Sequence, residues 1–106
     1  MIVCIIEFVV HQGMETRHRE LLEPLLAEVQ GIPGFISKET FESRAQPGRL
    51  LTVSYWTDRQ AMKAWMANAD HRRTMVAGKR EVFSHYRIRI AEIERAYEWA
   101  APPAKP

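Results

Sequence analysis

The first ten residues, MIVCIIEFVV, constrain the fold of this chain more than any other stretch. Ile and Val dominate it, and their branched side chains favour an extended strand. Alternate side chains of a strand point to opposite faces of its sheet. Here apolar residues occupy both parities, so both faces of the strand need cover. The chain has 106 residues, the length of a single domain, and few other elements from which to draw that cover. Glu7 is the one charged residue in the run.

Several classes of protein are excluded at this point. The run is about half the length of a membrane span, and Glu7 interrupts it. It also lacks the basic leader and small-residue cleavage site of a signal peptide. A composition that is 46% hydrophobic and 26% charged belongs to a globular protein, not a disordered one. Fifteen basic residues against 13 acidic ones give a net charge of only +2. No basic run is present, so nothing points to nucleic acid. Cys4 is the single cysteine, so it forms no internal disulfide. No spacing between it and the four histidines makes a metal site. These features suggest a cytoplasmic protein with no nucleic-acid or membrane partner, in which Cys4 fills core.

Beyond the first strand, Gln12 and Gly13 make a turn. A helix is expected over about residues 15–30, striped by Leu21, Leu22, Leu25, Leu26 and Val29, with Pro24 kinking it without ending it. GIPGF (31–35) turns the chain, FISKETFESR (35–44) reads as a strand, AQPGR as a hairpin turn, and LLTVSYW (50–56) as a third strand. Thr57 and Gln60 have capping-box spacing, predicting a helix over DRQAMKAWMAN with Ala61, Met62, Trp65 and Met66 inward. Asn68 or Asp70 caps a further turn or two before Gly78. In the last strand, about 81–94, Tyr86, Ile88 and Ile90 alternate with His85, Arg87 and Arg89. Residues 1–99 then form one domain, and AAPPAKP (100–106) is expected to be a disordered tail.

The order β-α-β-β-α-β defines an α+β, ferredoxin-like fold, a four-stranded antiparallel sheet with both helices on one face. Its other face would be a large apolar patch on a monomer. Two copies are therefore expected to pack sheet to sheet as a homodimer.

Three stretches carry a resemblance to a known family: IPGF (32–35), SYWTDRQAMKAWMANADHRR (54–73) and YRIRIAEIERAYEW (86–99). In this order and spacing they resemble the antibiotic biosynthesis monooxygenase domain, a dimeric α+β barrel. The resemblance implies oxidation of a small aromatic or quinone-like molecule by O₂ without flavin or metal. It also implies an apolar pocket between helices and sheet, furnished with a proton carrier and a group that stabilises an anion. Two alternatives stand beside this reading: a haem-binding, haem-degrading monooxygenase, and a dimeric ligand-binding module without turnover.

Under the resemblance, His71 and Glu7 are the candidate proton carriers, and Trp65, Trp56, Asn68, Arg72 and Arg87 the candidate substrate-binding residues. Each has a plainer reading. Trp65 serves equally as core, Trp56 as strand-end packing, Asn68 as a helix cap and His71 as a surface histidine. Glu7 gains a raised pKa if it faces the helices, or pairs with Arg87 or Arg89 across the sheet. The ladder His85, Arg87 and Arg89 is expected to be solvated or to pair with Glu39 or Glu42 across the dimer interface, with anion binding the lesser alternative, and His11 and His18 to lie at the surface. Haem-degrading relatives carry Asn on the first strand, where this chain has Glu7. Their haem-binding histidine also lies farther from the helix tryptophan than His71 does from Trp65.

Overall fold

The computed structural model describes residues 1–104. Its elements are β1 (Ile2–Val10), α1 (Glu15–Val29), β2 (Phe35–Glu42), β3 (Arg49–Trp56), α2 (Arg59–Ala67), α3 (Ala69–Ala77), a π-helical turn (Gly78–Val82) and β4 (Phe83–Glu92). The strands form one antiparallel sheet in the order β2-β3-β1-β4, the ferredoxin-like arrangement. Residues 93–104 carry no helix or strand. The tail expected over residues 100–106 thus lies partly within this exposed segment, and residues 105 and 106 lie outside the described residues.

Register decides what each face of the sheet presents. Ile2, Cys4 and Phe8 of β1 are buried, as are Thr52, Ser54 and Trp56 of β3. With Leu25 and Val29 of α1 and Met62 and Trp65 of α2, Ile2, Cys4 and Trp56 make one buried cluster. Each fully buried aliphatic or aromatic side chain there contributes about 1.5–3 kcal/mol. The opposite parity, Val3, Ile5 and Val9 with Leu51, Val53 and Tyr55, is half-buried, on the face away from this cluster. Both parities of β1 are therefore apolar for different reasons, one under helices and one on the sheet's free side.

Several local expectations are corrected. The cap of α2 is Asp58, whose carboxylate accepts from the Ala61 amide at 2.9 Å; Thr57 is instead drawn into the preceding turn, its amide donating to the Gly34 carbonyl at 2.8 Å. Asn68 ends α2 with an extended ψ of 130° and starts α3 as a full nine-residue helix, not a frayed turn. Leu26 is exposed, and Met66, partly exposed, borders the cavity that α2 and α3 leave above the sheet. His18 is half-buried between Phe8 and Phe83, with ring centroids 5.3 and 5.7 Å away, so it is not a surface residue. Helix α1 runs through Pro24 from Glu15 to Val29.

The IPGF turn has a steric reason for its glycine. Gly34 has φ +87°, and a β-carbon there would sit 2.5 Å from Ala61 Cβ and 2.6 Å from Thr57 Oγ1. Left-handed strain and the clash with α2 add together. Gly34→Ala is expected to cost about 2 kcal/mol or more, read as a lowered denaturant midpoint with an unchanged m-value.

Candidate active site

The helix-facing centre of the sheet is built from small side chains. Cys4 on β1 lies opposite Ser54 on β3, and Ile6 lies opposite Thr52. Trp65 lies over this floor from α2, and the combination leaves a cavity of about 290 Å³. The polar atoms of the floor satisfy one another. Trp56 Nε1 donates to Ser54 Oγ at 3.0 Å, and the Thr40 and Thr52 hydroxyls are 2.8 Å apart. A hydroxyl-bearing floor therefore stays in place with no ligand to hold it.

Helix α3 and β4 close the sides. His71 and Arg72 come from α3, Tyr86 and Ile88 from β4, Lys38 from β2 and Lys79 from the π-helical turn. His71 packs on Trp65, with ring centroids 4.9 Å apart and planes inclined at 43°. Its Nδ1 is buried without a hydrogen-bond partner. Burial pushes its pKa below the ordinary value, and the charge of Lys38 adds to this; the Met66 backbone pulls weakly the other way, short of a formed hydrogen bond. At neutral pH this imidazole is uncharged and able to accept a proton. Burial raises the Tyr86 phenol to about 12, so it remains a hydrogen-bond donor. Burial also raises the Cys4 thiol, leaving it neutral, consistent with a packing role and not a nucleophilic one.

The structure brings Trp65, Trp56, His71 and Arg72 to this cavity. It separates the other three candidates from it. Asn68 caps α3, its Oδ1 accepting from the His71 amide at 3.0 Å while its Nδ2 donates to Glu28 Oε1 at 2.9 Å. Both ends of that amide are occupied, so Asn68 positions His71 and does not line the cavity. Glu7 and Arg87 sit on the opposite face, as register partners on β1 and β4. Arg49 Nη2 donates to Glu7 Oε2 at 2.8 Å, Arg87 donates to the same oxygen, and Arg89 Nη1 lies 3.4 Å from Oε1. These arginines, Arg49 first, hold the Glu7 carboxyl at about 2. That corrects its reading as a base: it is ionised at any pH near neutral and faces away from the cavity. The arrangement is the other reading of Glu7, in which Arg87 and Arg89 pair with it across the sheet.

Lys38 was not recognisable as a site residue from local pattern. It lies in an ordinary-looking strand, FISKETFE. Only the hairpin register, which pairs Lys38 with Ser54, turns it beneath the helices. The shift in pairing between Phe35 and Ser37 makes that register hard to read from the sequence.

The sequence profile described as antibiotic biosynthesis monooxygenase matches residues 1–77. The chain belongs to that family. Among similar proteins, a jasmonate monooxygenase of Pyricularia oryzae is 27% identical over 73 residues, 69% of this chain but 34% of that protein. This chain therefore spans about a third of that relative's length. The uncharacterised protein YqjZ of Bacillus subtilis is 28% identical over 81 residues, 76% of this chain and 69% of that one. Among solved structures, a candidate antibiotic biosynthesis monooxygenase of Deinococcus radiodurans aligns with TM-score 0.81 and 20% identity, covering 95% of this chain and all of that one. SnoaB of Streptomyces nogalater, a cofactor-independent oxygenase, aligns with TM-score 0.73 and 17% identity over 90% of this chain and 94% of that one. At these identities the structural matches establish the fold.

Haem fits the family site of this chain poorly. The cavity, about 290 Å³, is at the small end of ligand pockets, which run to about 300–1,000 Å³. Position 7, where haem-degrading relatives place Asn, turns to the far side of the sheet.

The charge states give the protein a two-stage acid response. His71 and His18 both titrate below their ordinary 6.5 because burial opposes charge. The unfolded chain therefore binds their protons first, and stability present above pH 6.5 declines as pH falls below it. Glu7 titrates at about 2 instead of 4.5, so its share persists above pH 4.5 and is lost between there and 2. Thermal melts across pH should show both declines. His18→Phe should flatten the upper one and Glu7→Gln the lower one.

Proposed function

We propose that this protein is a cytoplasmic, homodimeric monooxygenase that oxidises a small aromatic or quinone-like molecule with O₂ and no resident cofactor. The observation that carries the reading is the uncharged His71 held against Trp65 in the wall of an unfilled cavity. Family membership supports the reaction class, and SnoaB is a structural neighbour whose described activity is of this kind. The cavity suits a ligand-binding module without turnover equally well, and oxygen uptake separates the two.

In this reading the aromatic body of the substrate lies between Trp65 and the Cys4–Thr52–Ser54 floor, with Trp56 closing one end. His71 takes the proton of a phenolic or enolic hydroxyl, a transfer that suits a neutral imidazole. The anion left behind is electron-rich enough to reduce O₂ by one electron, and recombination forms the new carbon–oxygen bond. A substrate with an activated methylene furnishes every electron: one oxygen atom becomes its carbonyl and the other leaves as water. No external reductant is required. Arg72 at the cavity edge and the Tyr86 hydroxyl stabilise the developing negative charge.

Dimerisation is supported by the composition of the free sheet face. Val3, Ile5, Leu51 and Val53 form its apolar centre, and Glu7 is neutralised by its arginines. Two such faces together would bury what one copy leaves wet.

An oxygen electrode tests the reaction. With a panel of polyphenols, hydroquinones and anthrone-type methylenes, the purified protein should consume O₂ in step with product. His71→Gln should slow turnover by about 10²–10³-fold. No uptake with any member of the panel, or an unchanged rate in the variant, would overturn the reading.

A further inference from the structure

We propose that the cavity is built for a compact organic anion, an apolar aromatic body bearing one carboxylate or phenolate, and that Lys38 selects for that charge. The proposal rests on the reading above in taking this cavity as the substrate site, and it names the substrate's chemical class.

Three observations converge on it. The first is the charge of the lining. Lys38, Arg72 and Lys79 border the cavity together with His71, and among the described residues no Asp or Glu side chain does so. Glu28, the acidic residue tied to this helix junction, is already engaged by the Asn68 amide. The second is where the lysine comes from. A lysine on a strand ordinarily runs its stem along the surface and keeps its ammonium in water. Register instead pairs Lys38 with Ser54, on the parity that faces the helices, and leaves it half-buried. An ammonium drawn out of water is costly unless paired. Burial accordingly depresses the pKa of Lys38, and the acid that acts on it is the Cys4 thiol, which burial keeps protonated. An anion from outside the protein would complete the pairing.

The third observation is the order in which the cations lie. Arg72 and Lys79 are exposed, with Lys79 Nζ 5.4 Å from the centroid of the Tyr86 ring. They raise the local concentration of an approaching anion, while the more deeply set Lys38 discriminates once water has been displaced. A floor whose hydroxyls are already bonded within the protein and the Trp65 indole hold a ring equally well whatever its substituent. The acidic group is therefore what separates one aromatic ligand from another here.

The test compares two probes of nearly equal shape, 2-naphthoate and neutral 2-naphthamide, by isothermal titration calorimetry at neutral pH. Naphthoate should bind about tenfold more tightly, the size of effect expected of a charge-assisted hydrogen bond. Lys38→Met should abolish that preference while leaving naphthamide affinity unchanged, which also shows that the cavity has survived the substitution. Lys38→Arg should retain most of the preference, and Lys63→Met, on the exposed side of α2, should alter neither affinity. Equal binding or a preference for naphthamide in the parent protein would overturn the proposal, as would a preference that persists in Lys38→Met. Failure of both probes to bind would overturn it together with the choice of cavity. Oxygen uptake is read separately: turnover without anion preference sinks only this proposal, and anion preference without turnover sinks only the oxygenase reading.

Discussion

A strand that is apolar on both sides sets the terms for everything else in this protein. The even-numbered side chains of β1, with Ile2, Cys4 and Phe8 buried, anchor the helices, while Val3, Ile5 and Val9 look out from the other side of the sheet. The chain has enough helix to roof one side only. β1 also occupies the sheet's centre, hydrogen-bonded to β3 on one flank and β4 on the other. The two faces consequently do different work, one enclosing a cavity and the other presenting an apolar centre flanked by the ion pairs of Glu7 with Arg49, Arg87 and Arg89.

The cavity follows from side-chain size more than from any special loop. Cys4, Thr52 and Ser54 stand where a tightly packed α+β core would carry leucine or isoleucine, and the Trp65 indole above them leaves the gap open. Space of this kind forfeits dispersion contacts that larger residues would make, and it is compatible with a stable domain because Thr52 bonds to the Thr40 hydroxyl and Ser54 accepts from the Trp56 indole. Trp65 has a double part: it is core on its α1 side and wall on its cavity side. The division of α2 from α3 at Asn68 matters for the same reason. It ends one helix two residues after Trp65 and begins the next two residues before His71, whose imidazole packs on that indole.

Element order could be read from hydrophobic period, whereas Trp65, Trp56, His71 and Arg72, which do reach the cavity, were named through the resemblance carried by residues 54–73. Glu7 and Arg87 could not be assigned to a face, since β1 is apolar on both parities and gives no sign of which one meets the helices. The same ambiguity hid the arginine cage around Glu7, which depends on cross-strand register with Arg49 and Arg87. Lys38 was hidden for a related reason: its direction is set by an irregular pairing between β2 and β3 and not by its neighbours in sequence. What escaped sequence reasoning was in each case the choice of face, a property of strand pairing.

The free face is where the account is most exposed. If Val3, Ile5, Leu51 and Val53 are apolar because a second copy covers them, the protein must associate at ordinary concentrations. Sedimentation velocity at micromolar protein measures this directly. The account predicts a single species of twice the 12.3 kDa chain mass. A lone 12.3 kDa subunit would contradict it, leaving the outward parity of β1 without a physical reason.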